Sequence, residues 1–257
     1  MAFDLNNFVI DRVVRAVGFS QTDDSVLFAI NQVTNPSLNV TSETAEAVDA
    51  LGTPIAVFNR AKSAEFSAEN ALFDLNLMAT QAGVKKEVAS AEATIVTPKF
   101  EVVDVVAEQT EYTLAETPVE APATIYVLNG DGTLGAAYSL EAGDFAVSGA
   151  TLTLSNEEIV AGSQLMVIYE YNAAEAVSVT NSAVNFPNAC KLVLEVLGCD
   201  VCDQTKLIYA YLILPNFKIS PDFDWSIATD GTHPFSGQAM QDYCDKEKKL
   251  YQLIIPA

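Results

Sequence analysis

The sequence predicts a mainly β protein: an antiparallel β-sandwich or barrel with one flanking α-helix and an inserted small β module. Three observations support this fold class. Half of the 257 residues are hydrophobic, which is enough for a sizeable core. Short segments rich in Val, Ile and Tyr recur along the chain, separated by Gly, Asp, Asn or Pro. Only one stretch shows the apolar spacing of a helix.

The predicted strands are short and follow one another with turn residues between them, as in sandwiches and barrels. They are residues 8–19, 25–30, 53–58, 93–106, 123–128, 164–171, 190–197, 206–214 and 250–255. The most regular alternation lies in PDFDWSIATD (221–230), where Phe223, Trp225 and Ile227 would share one face. We therefore expect a further strand there, with one face packed and the other in water.

The one predicted helix covers about residues 70–82. Apolar residues recur there at helical spacing: Ala71, Leu72, Leu75, Met78, Ala79 and Ala82. Asn70 or Ser67 is suited to cap its start, and Gly83 suits a left-handed stop. We expect the apolar stripe of this helix to pack on the sheet of its own subunit.

Residues 107–172 are predicted to form a unit inside a larger one. Hairpin pairs such as Asn129-Gly130 and Asp131-Gly132 separate short strands there. The domain prediction is therefore a discontinuous β-sandwich core, residues 1–106 and 173–257, with 107–172 inserted. The alternative is that the strands of 107–172 continue a single sandwich.

The formal net charge of −21 argues against specific binding of nucleic acid, which requires Lys and Arg at the phosphates. No Lys or Arg occurs between Lys99 and Lys191, whereas carboxylates are frequent there, so one surface should be strongly negative. The start lacks the pattern of a secretory signal, and we expect the protein to stay where it is made. The longest apolar stretch, 207–214, is far below the ~18 to 20 residues that span a bilayer, so we expect no membrane span.

The four cysteines are the only candidates for metal binding. Cys199 and Cys202 have the C-x2-C spacing of half a zinc site, which Cys190 and Cys244 could complete. Against zinc, the second pair is not a C-x2-C and the segment after Cys190 reads as a strand. Ordinary reduced thiols without a metal or cofactor are the expectation.

The only histidine, His233, lacks the partners that catalysis needs. A histidine acts as a general base only where a nucleophile and an orienting carboxylate converge on it. Turn residues flank His233, so residues 229–237 are predicted to be a connection between strands. The sequence also contains no phosphate-binding glycine loop and no EF-hand loop, and we expect no enzymatic activity.

The C-terminal third resembles the tail-tube (major tail) proteins of long-tailed bacteriophages. The resemblance lies in residues 190–240, in the terminal LYQLIIP (250–256), and in residues 43–83, where a strand pair precedes the helix. It implies a β-sandwich subunit that closes into hexameric rings, which stack into a hollow tube that conducts DNA without binding it specifically. The family would place the helix on the flank and the long hairpins at contacts between rings. It also implies other tail proteins as partners, synthesis in the host cytoplasm and a location in the virion tail.

Two other functions remain open on the sequence. One is a capsid decoration or tail accessory protein whose β module projects outward. The other is an adhesion or carbohydrate-binding module, for which the candidate stacking residues are Trp225, Tyr126, Tyr138, Tyr169 and Tyr171, although aromatic residues in strands are more often part of a core.

Overall fold

The computed structural model describes residues 7–243 and 246–256, with the side chain of Asp203 left aside. Contacts between Cα atoms divide the chain into two compact units. The first unit comprises the described residues up to Lys86 and from Val179 onward, and the second unit comprises Glu87–Ser178. No helix in the described ranges has the length and apolar character needed to cross a membrane.

The described residues form seventeen strands and one helix. In chain order they are β1 (Phe8–Ser20), β2 (Val26–Ile30), β3 (Val33–Val48), β4 (Pro54–Asn70), α1 (Leu75–Ala82), β5 (Glu87–Val88), β6 (Ile95–Asp104), β7 (Glu111–Thr113), β8 (Thr124–Leu128), β9 (Leu134–Ser139), β10 (Phe145–Ser148), β11 (Thr151–Leu154), β12 (Gln164–Ala173), β13 (Val177–Ser178), β14 (Ala189–Asp200), β15 (Asp203–Ile219), β16 (His233–Ala239) and β17 (Gln252–Ile254). All strand pairings are antiparallel. The predicted mainly β fold with one helix is confirmed.

The first unit is built on one sheet with the strand order β2-β1-β14-β15-β16-β4-β3, and β17 pairs with β15 beside this path. Its core contains four phenylalanines, Phe28, Phe66, Phe217 and Phe235. Their ring centroids lie 5.9–6.3 Å apart in tilted and edge-to-face pairs, the arrangement that aromatic quadrupoles favour. Phe28 of β2 meets Phe235 of β16 although three strands separate β2 from β16 in the sheet order, so the sheet curls around this core.

Helix α1 is shorter than predicted and begins later. Its cap is Asp74, whose carboxylate accepts a hydrogen bond from the Leu77 N–H at 2.7 Å, so the predicted caps Asn70 and Ser67 are wrong. Both of those residues belong to β4, which runs on to Asn70. The predicted stop is confirmed, because Gly83 has a φ of 68° and donates to carbonyls of the last turn. The helix packs as expected on its own unit, with Leu77 in the phenylalanine core.

The second unit contains a four-stranded sheet, β6-β12-β8-β9, and a three-stranded sheet, β10-β11-β7. Side chains from both sheets make one core, which includes Leu152 from the smaller sheet and Ile125, Leu165 and Val167 from the larger one. The short β5 and β13 pair where the chain enters and leaves this unit. It is therefore a small sandwich of its own.

The observed second unit is wider than the 107–172 of the sequence prediction. The difference arises from β6, which the prediction assigned to the core. All ten β6 residues pair with β12, from Ile95↔Ala173 to Asp104↔Gln164. Composition identifies a strand but carries no information on which distant strand it pairs with. The sequence prediction therefore placed the start of the inserted unit after β6, whereas the second unit of the structure begins before β6.

Candidate functional site

His233 is part of a strand and is fully buried, so the prediction of a turn over residues 229–237 is wrong beyond residue 232. It is the first residue of β16 and pairs with Asn70 of β4. Its Nδ1 accepts a hydrogen bond from the Asp74 N–H at 3.3 Å, and its Nε2–H donates to Gln81 Oε1 at 2.8 Å. Both ring nitrogens are thus used to attach α1 to the sheet, in the neutral tautomer protonated at Nε2.

Burial lowers the pKa of His233, and the nearby carboxylate of Asp74 opposes this shift only in part. The ring therefore favours the neutral form that its two hydrogen bonds require. One polar atom near it remains unsatisfied: Asn70 Oδ1 is buried without a hydrogen-bond partner among the described residues. This cluster joins α1 to β4 and β16 and has a structural role in this geometry.

Residues 220–232, all within the described part of the chain, form no strand, so the strand predicted from PDFDWSIATD is wrong. Ile227 is 85% exposed, whereas the alternation would have buried it. Trp225 instead stacks on Phe73 at 4.4 Å between ring centroids, and Phe73 stacks on His233 at 4.8 Å. The alternation of apolar and polar residues predicted a strand wrongly, because the aromatic residues of this loop pack on neighbouring aromatic rings and not on a sheet.

The cysteines do not converge on one zinc site. Cys190 is buried and Cys199 lies nine residues further along the same strand, a separation of about 30 Å at the rise of a β-strand. Cys202 is exposed in the turn between β14 and β15. Cys244 lies outside the described residues. Within the described ranges no group of three or more His, Cys, Asp or Glu side chains could hold a metal ion.

The candidate stacking residues of an adhesion module do not form one surface. Tyr138 and Tyr169 are buried in the core of the second unit, and Tyr171 packs against that core. The Tyr169 hydroxyl donates to the Glu101 carboxylate at 2.5 Å, and burial together with that bond raises the pKa of this phenol. Trp225 belongs to the first unit. The burial of Tyr138 and Tyr169 agrees with the usual place of aromatic residues in strands, whereas Tyr126 on β8 is half-buried.

The most conspicuous surface feature of the first unit is the outer part of the β3–β4 hairpin, residues 41–63, which we call the arm. β16 pairs with β4 only from Ala64 to Asn70, so the arm continues as two strands beyond the end of β16. Its end is well defined, because Asp49 Oδ1 accepts hydrogen bonds from the N–H groups of Leu51 and Thr53 at 2.8 Å. A hairpin of two strands alone is only marginally stable in water.

The arm exposes apolar side chains on both of its faces. Leu51 at the turn is 92% exposed, and Ile55, Val57 and Phe58 on β4 are 54–72% exposed. Along β4, residues 54–63 have no strand partner on the side away from β3 among the described residues, which leaves about 33 Å of open strand edge. A cleft of about 820 Å³ lies at the base of this edge, lined by residues 61–63 of β4, residues 238–241, Lys248, Leu250 and Tyr251.

A second exposed apolar area lies where β1 begins and the β14–β15 hairpin turns. Val9 and Ile10 of β1 pair with Cys199 and Gly198 of β14 in this region. Val9, Ile10, Val201, Leu207 and Tyr209 are 47–61% exposed. By the strand register, this area and the arm lie toward the same end of the sheet, since Ala239 of β16 pairs with both Phe217 of β15 and Ala64 of β4.

The local pattern predicted only residues 53–58 of the arm as a strand, whereas the resemblance implied a strand pair within residues 43–83, and the structure has two strands there. The local signal was weak because residues 33–48 carry Thr, Ser, Asn and Glu on both faces, whereas an alternating pattern arises only when one face is buried. The β-branched Val and Thr residues spread through that segment were the signal that could have indicated a strand.

The net negative charge is concentrated in the second unit. Residues 87–178 contain fifteen Asp and Glu and one Lys, a formal charge of −14 out of the −21 of the whole chain. The single Lys99 is not free, because its Nζ lies 3.7 Å from a Glu116 carboxylate oxygen and 5.5 Å from the Tyr171 ring centroid. The expectation of one strongly negative surface applies to this unit.

The architecture thus defines a class, a mainly β protein with antiparallel sheets, one short helix and a projecting hairpin. Comparison with known families is more specific. The sequence profile of the YomU/Tube protein family matches residues 8–254, nearly the whole chain, and the chain belongs to this family. This membership agrees with the resemblance to bacteriophage tail-tube proteins. No curated protein sequence matches the chain.

Proposed function

We propose that this protein is the subunit of a bacteriophage tail tube, and that copies of it close into stacked rings, six to a ring as the resemblance implies. The lumen of the tube would conduct DNA during ejection. The observation that carries the proposal is the arm: a two-stranded hairpin with an open edge and apolar side chains on both faces. Membership of the YomU/Tube family supports an assembly of this kind.

The physical reason for assembly is the state of the arm in an isolated chain. An open strand edge pairs readily with another chain, and exposed apolar patches mark interaction surfaces. Identical subunits related by rotation satisfy such edges by closing a ring. Covering the arm with a neighbouring copy would remove Ile55, Val57 and Phe58 from water and pair the free β4 edge.

The charge of the chain suits a conduit. DNA carries a dense row of phosphates, and a wall with net negative charge does not retain it. A formal charge of −21 per subunit is multiplied in a ring of identical copies. The proposal gives the protein no catalytic step, and the use of both His233 nitrogens within the fold supports this.

The test compares assembly of the wild type with that of an arm variant, Ile55→Ser with Val57→Ser, by negative-stain electron microscopy and light scattering. The wild type should form rings or tubes. Each truncation removes about 1–2 kcal/mol of apolar burial per contact, so the double variant should weaken association about 100-fold and remain monomeric. The matched control is Ile227→Ser, which removes an equally apolar and more exposed side chain from the loop before β16.

Both variants should retain the melting temperature of the isolated chain, because the altered side chains are exposed. Rings that form equally well in the arm variant would refute the role of the arm. A wild type that stays monomeric at every concentration, while turning over a substrate, would refute the proposed function itself.

A further inference from the structure

The outward side of the four-stranded sheet in the second unit is an uncovered apolar face. Phe100 and Val102 on β6 are 68% and 44% exposed. Phe100 pairs with Ile168 of β12, Val102 pairs with Met166, and Met166 pairs in turn with Tyr126 of β8. Directly paired residues share one side of a sheet, so these five side chains form a continuous apolar strip, which we call the Phe100 face.

Strand β6 has charged side chains on its inner side and apolar side chains on its outer side, the opposite of an ordinary surface strand. The side chains that point to the inner side include Lys99 and Glu101, whereas Val96, Phe100 and Val102 point to solvent. The inner polar groups are satisfied: Glu101 accepts hydrogen bonds from the Tyr169 hydroxyl and, at 3.0 Å, from the Ala115 N–H. The sandwich therefore does not need the outward apolar side chains, and an exposed patch of this kind marks an interaction surface.

A pocket of about 320 Å³ adjoins the Phe100 face. It is lined by Val96, Val119, Glu120 and Glu170. Glu170 follows Ile168 by two residues on β12, about 7 Å along the same side of the sheet. The Val119 N–H donates to the Glu170 carbonyl at 2.7 Å, which holds the second valine at this position. The pocket suits the side chain of a Lys or Arg, because the two valines can contact its aliphatic stem and the two carboxylates can bind its cationic end.

The charge of the unit selects the kind of partner. A second copy of this face would bring two units of formal charge −14 together, which electrostatic repulsion opposes, whereas the arm belongs to the first unit, whose formal charge is only −7. A surface with positive charge is instead attracted to it. We propose that the Phe100 face docks a basic partner protein, which lays an apolar segment on Phe100 and Ile168 and inserts a Lys or Arg between Glu120 and Glu170.

The test uses the purified full-length chain, fluorescently labelled, and a yeast-displayed library of random 12-residue peptides as the probe. Peptides are selected on the wild type and screened against Phe100→Ser. Val160→Ser is the matched control, since Val160 is 61% exposed in the same unit. We expect peptides that bind the wild type and the control, bind Phe100→Ser about tenfold more weakly, and are enriched in Lys and Arg over the starting library.

A second measurement tests the pocket without altering the apolar strip. Glu120→Gln with Glu170→Gln should weaken the selected peptides about tenfold at low salt, whereas the control pair Glu157→Gln with Glu158→Gln should have a smaller effect. Binding to the wild type should decrease as salt increases. This readout remains valid if Phe100→Ser fails to fold.

Three results would overturn the proposal. They are a selection that yields no Phe100-dependent peptide, Phe100-dependent peptides without enrichment in basic residues, and a Phe100-dependent self-association that strengthens with salt, which would identify a second copy as the occupant. The arm variant of the previous section should bind the same peptides as the wild type. Failure of the tube proposal and failure of this one are therefore distinguishable.

Discussion

Lowering the pH from 7 to 5.5 should destabilise the first unit through His233 alone. The folded state holds this ring neutral, since burial lowers its pKa from the ordinary 6.5 and its Nδ1 accepts the Asp74 N–H. The unfolded chain takes up a proton as the pH falls through 6.5, whereas the folded chain, whose His233 pKa is lower, takes up less at each pH. Since the unfolded state then binds more protons, the free energy of unfolding falls as the pH falls.

The size of the effect has a clear upper limit. One proton bound only by the unfolded chain changes the free energy of unfolding by at most about 1.4 kcal/mol per pH unit. Between pH 7 and 5.5, an unfolded pKa of 6.5 limits the total loss to about 1.3 kcal/mol. The chain has one histidine, and the ordinary pKa values of carboxylates and of the N-terminal amine lie outside this window, so the loss is assigned to a single group.

The assay is urea denaturation followed by the fluorescence of Trp225, the only tryptophan, which stacks on Phe73 next to His233. His233→Gln is the control, because an amide does not titrate in this range. Its free energy of unfolding should be independent of pH between 7 and 5.5, even though it is lower at both values. A wild type with no pH dependence, or with the same slope as the variant, would refute this account of the buried ring.

Two further predictions concern backbone space and thiol reactivity. Gly83→Ala should lower the free energy of unfolding by about 1–3 kcal/mol more than Gly52→Ala does in the same urea assay. Both glycines have positive φ, but an added Cβ at Gly83 would overlap the Phe186 carbonyl, whereas a Cβ at Gly52 would have open space. Equal losses in the two variants would contradict this prediction. Iodoacetamide should modify Cys202 in the folded chain and Cys190 only in urea, as measured by mass spectrometry. The reason is that Cys190 is buried, which raises the pKa of its thiol to about 12. Equal labelling of the two cysteines in the folded chain would show that Cys190 is accessible.

Strand positions were largely predictable from the sequence. Segments such as residues 8–19, 123–128 and 164–171 differ from the observed strands by at most two residues at either end. They pack one face in a core, and this produces an alternation that is visible locally. The helix stop at Gly83 was predictable for the same reason, because a left-handed residue is a local requirement.

Several features were not predictable because they depend on distant partners. The burial of His233 and the loop position of Trp225 follow from the approach of α1 to β16, which is far away in sequence. The Asp74 cap is local, and an Asp directly before the helix was a signal that could have identified it. Local alternation predicted only part of the arm, because neither face of the arm is buried in the chain. β6 was recognised as a strand, but its inverted polarity appears only once its inner side chains meet the groups that satisfy them.

The amino-acid sequence by itself determined that the chain is a strand-rich, strongly acidic protein, because composition, local alternation and turn residues are short-range properties. The family came from the resemblance and from the profile match, not from those patterns. Only the tertiary structure decided where the second unit begins, which polar groups are satisfied inside it, and which apolar side chains are left in water. Those outcomes depend on pairing between segments far apart along the chain. The free energy of such pairing depends on both segments and therefore cannot be deduced from either one alone.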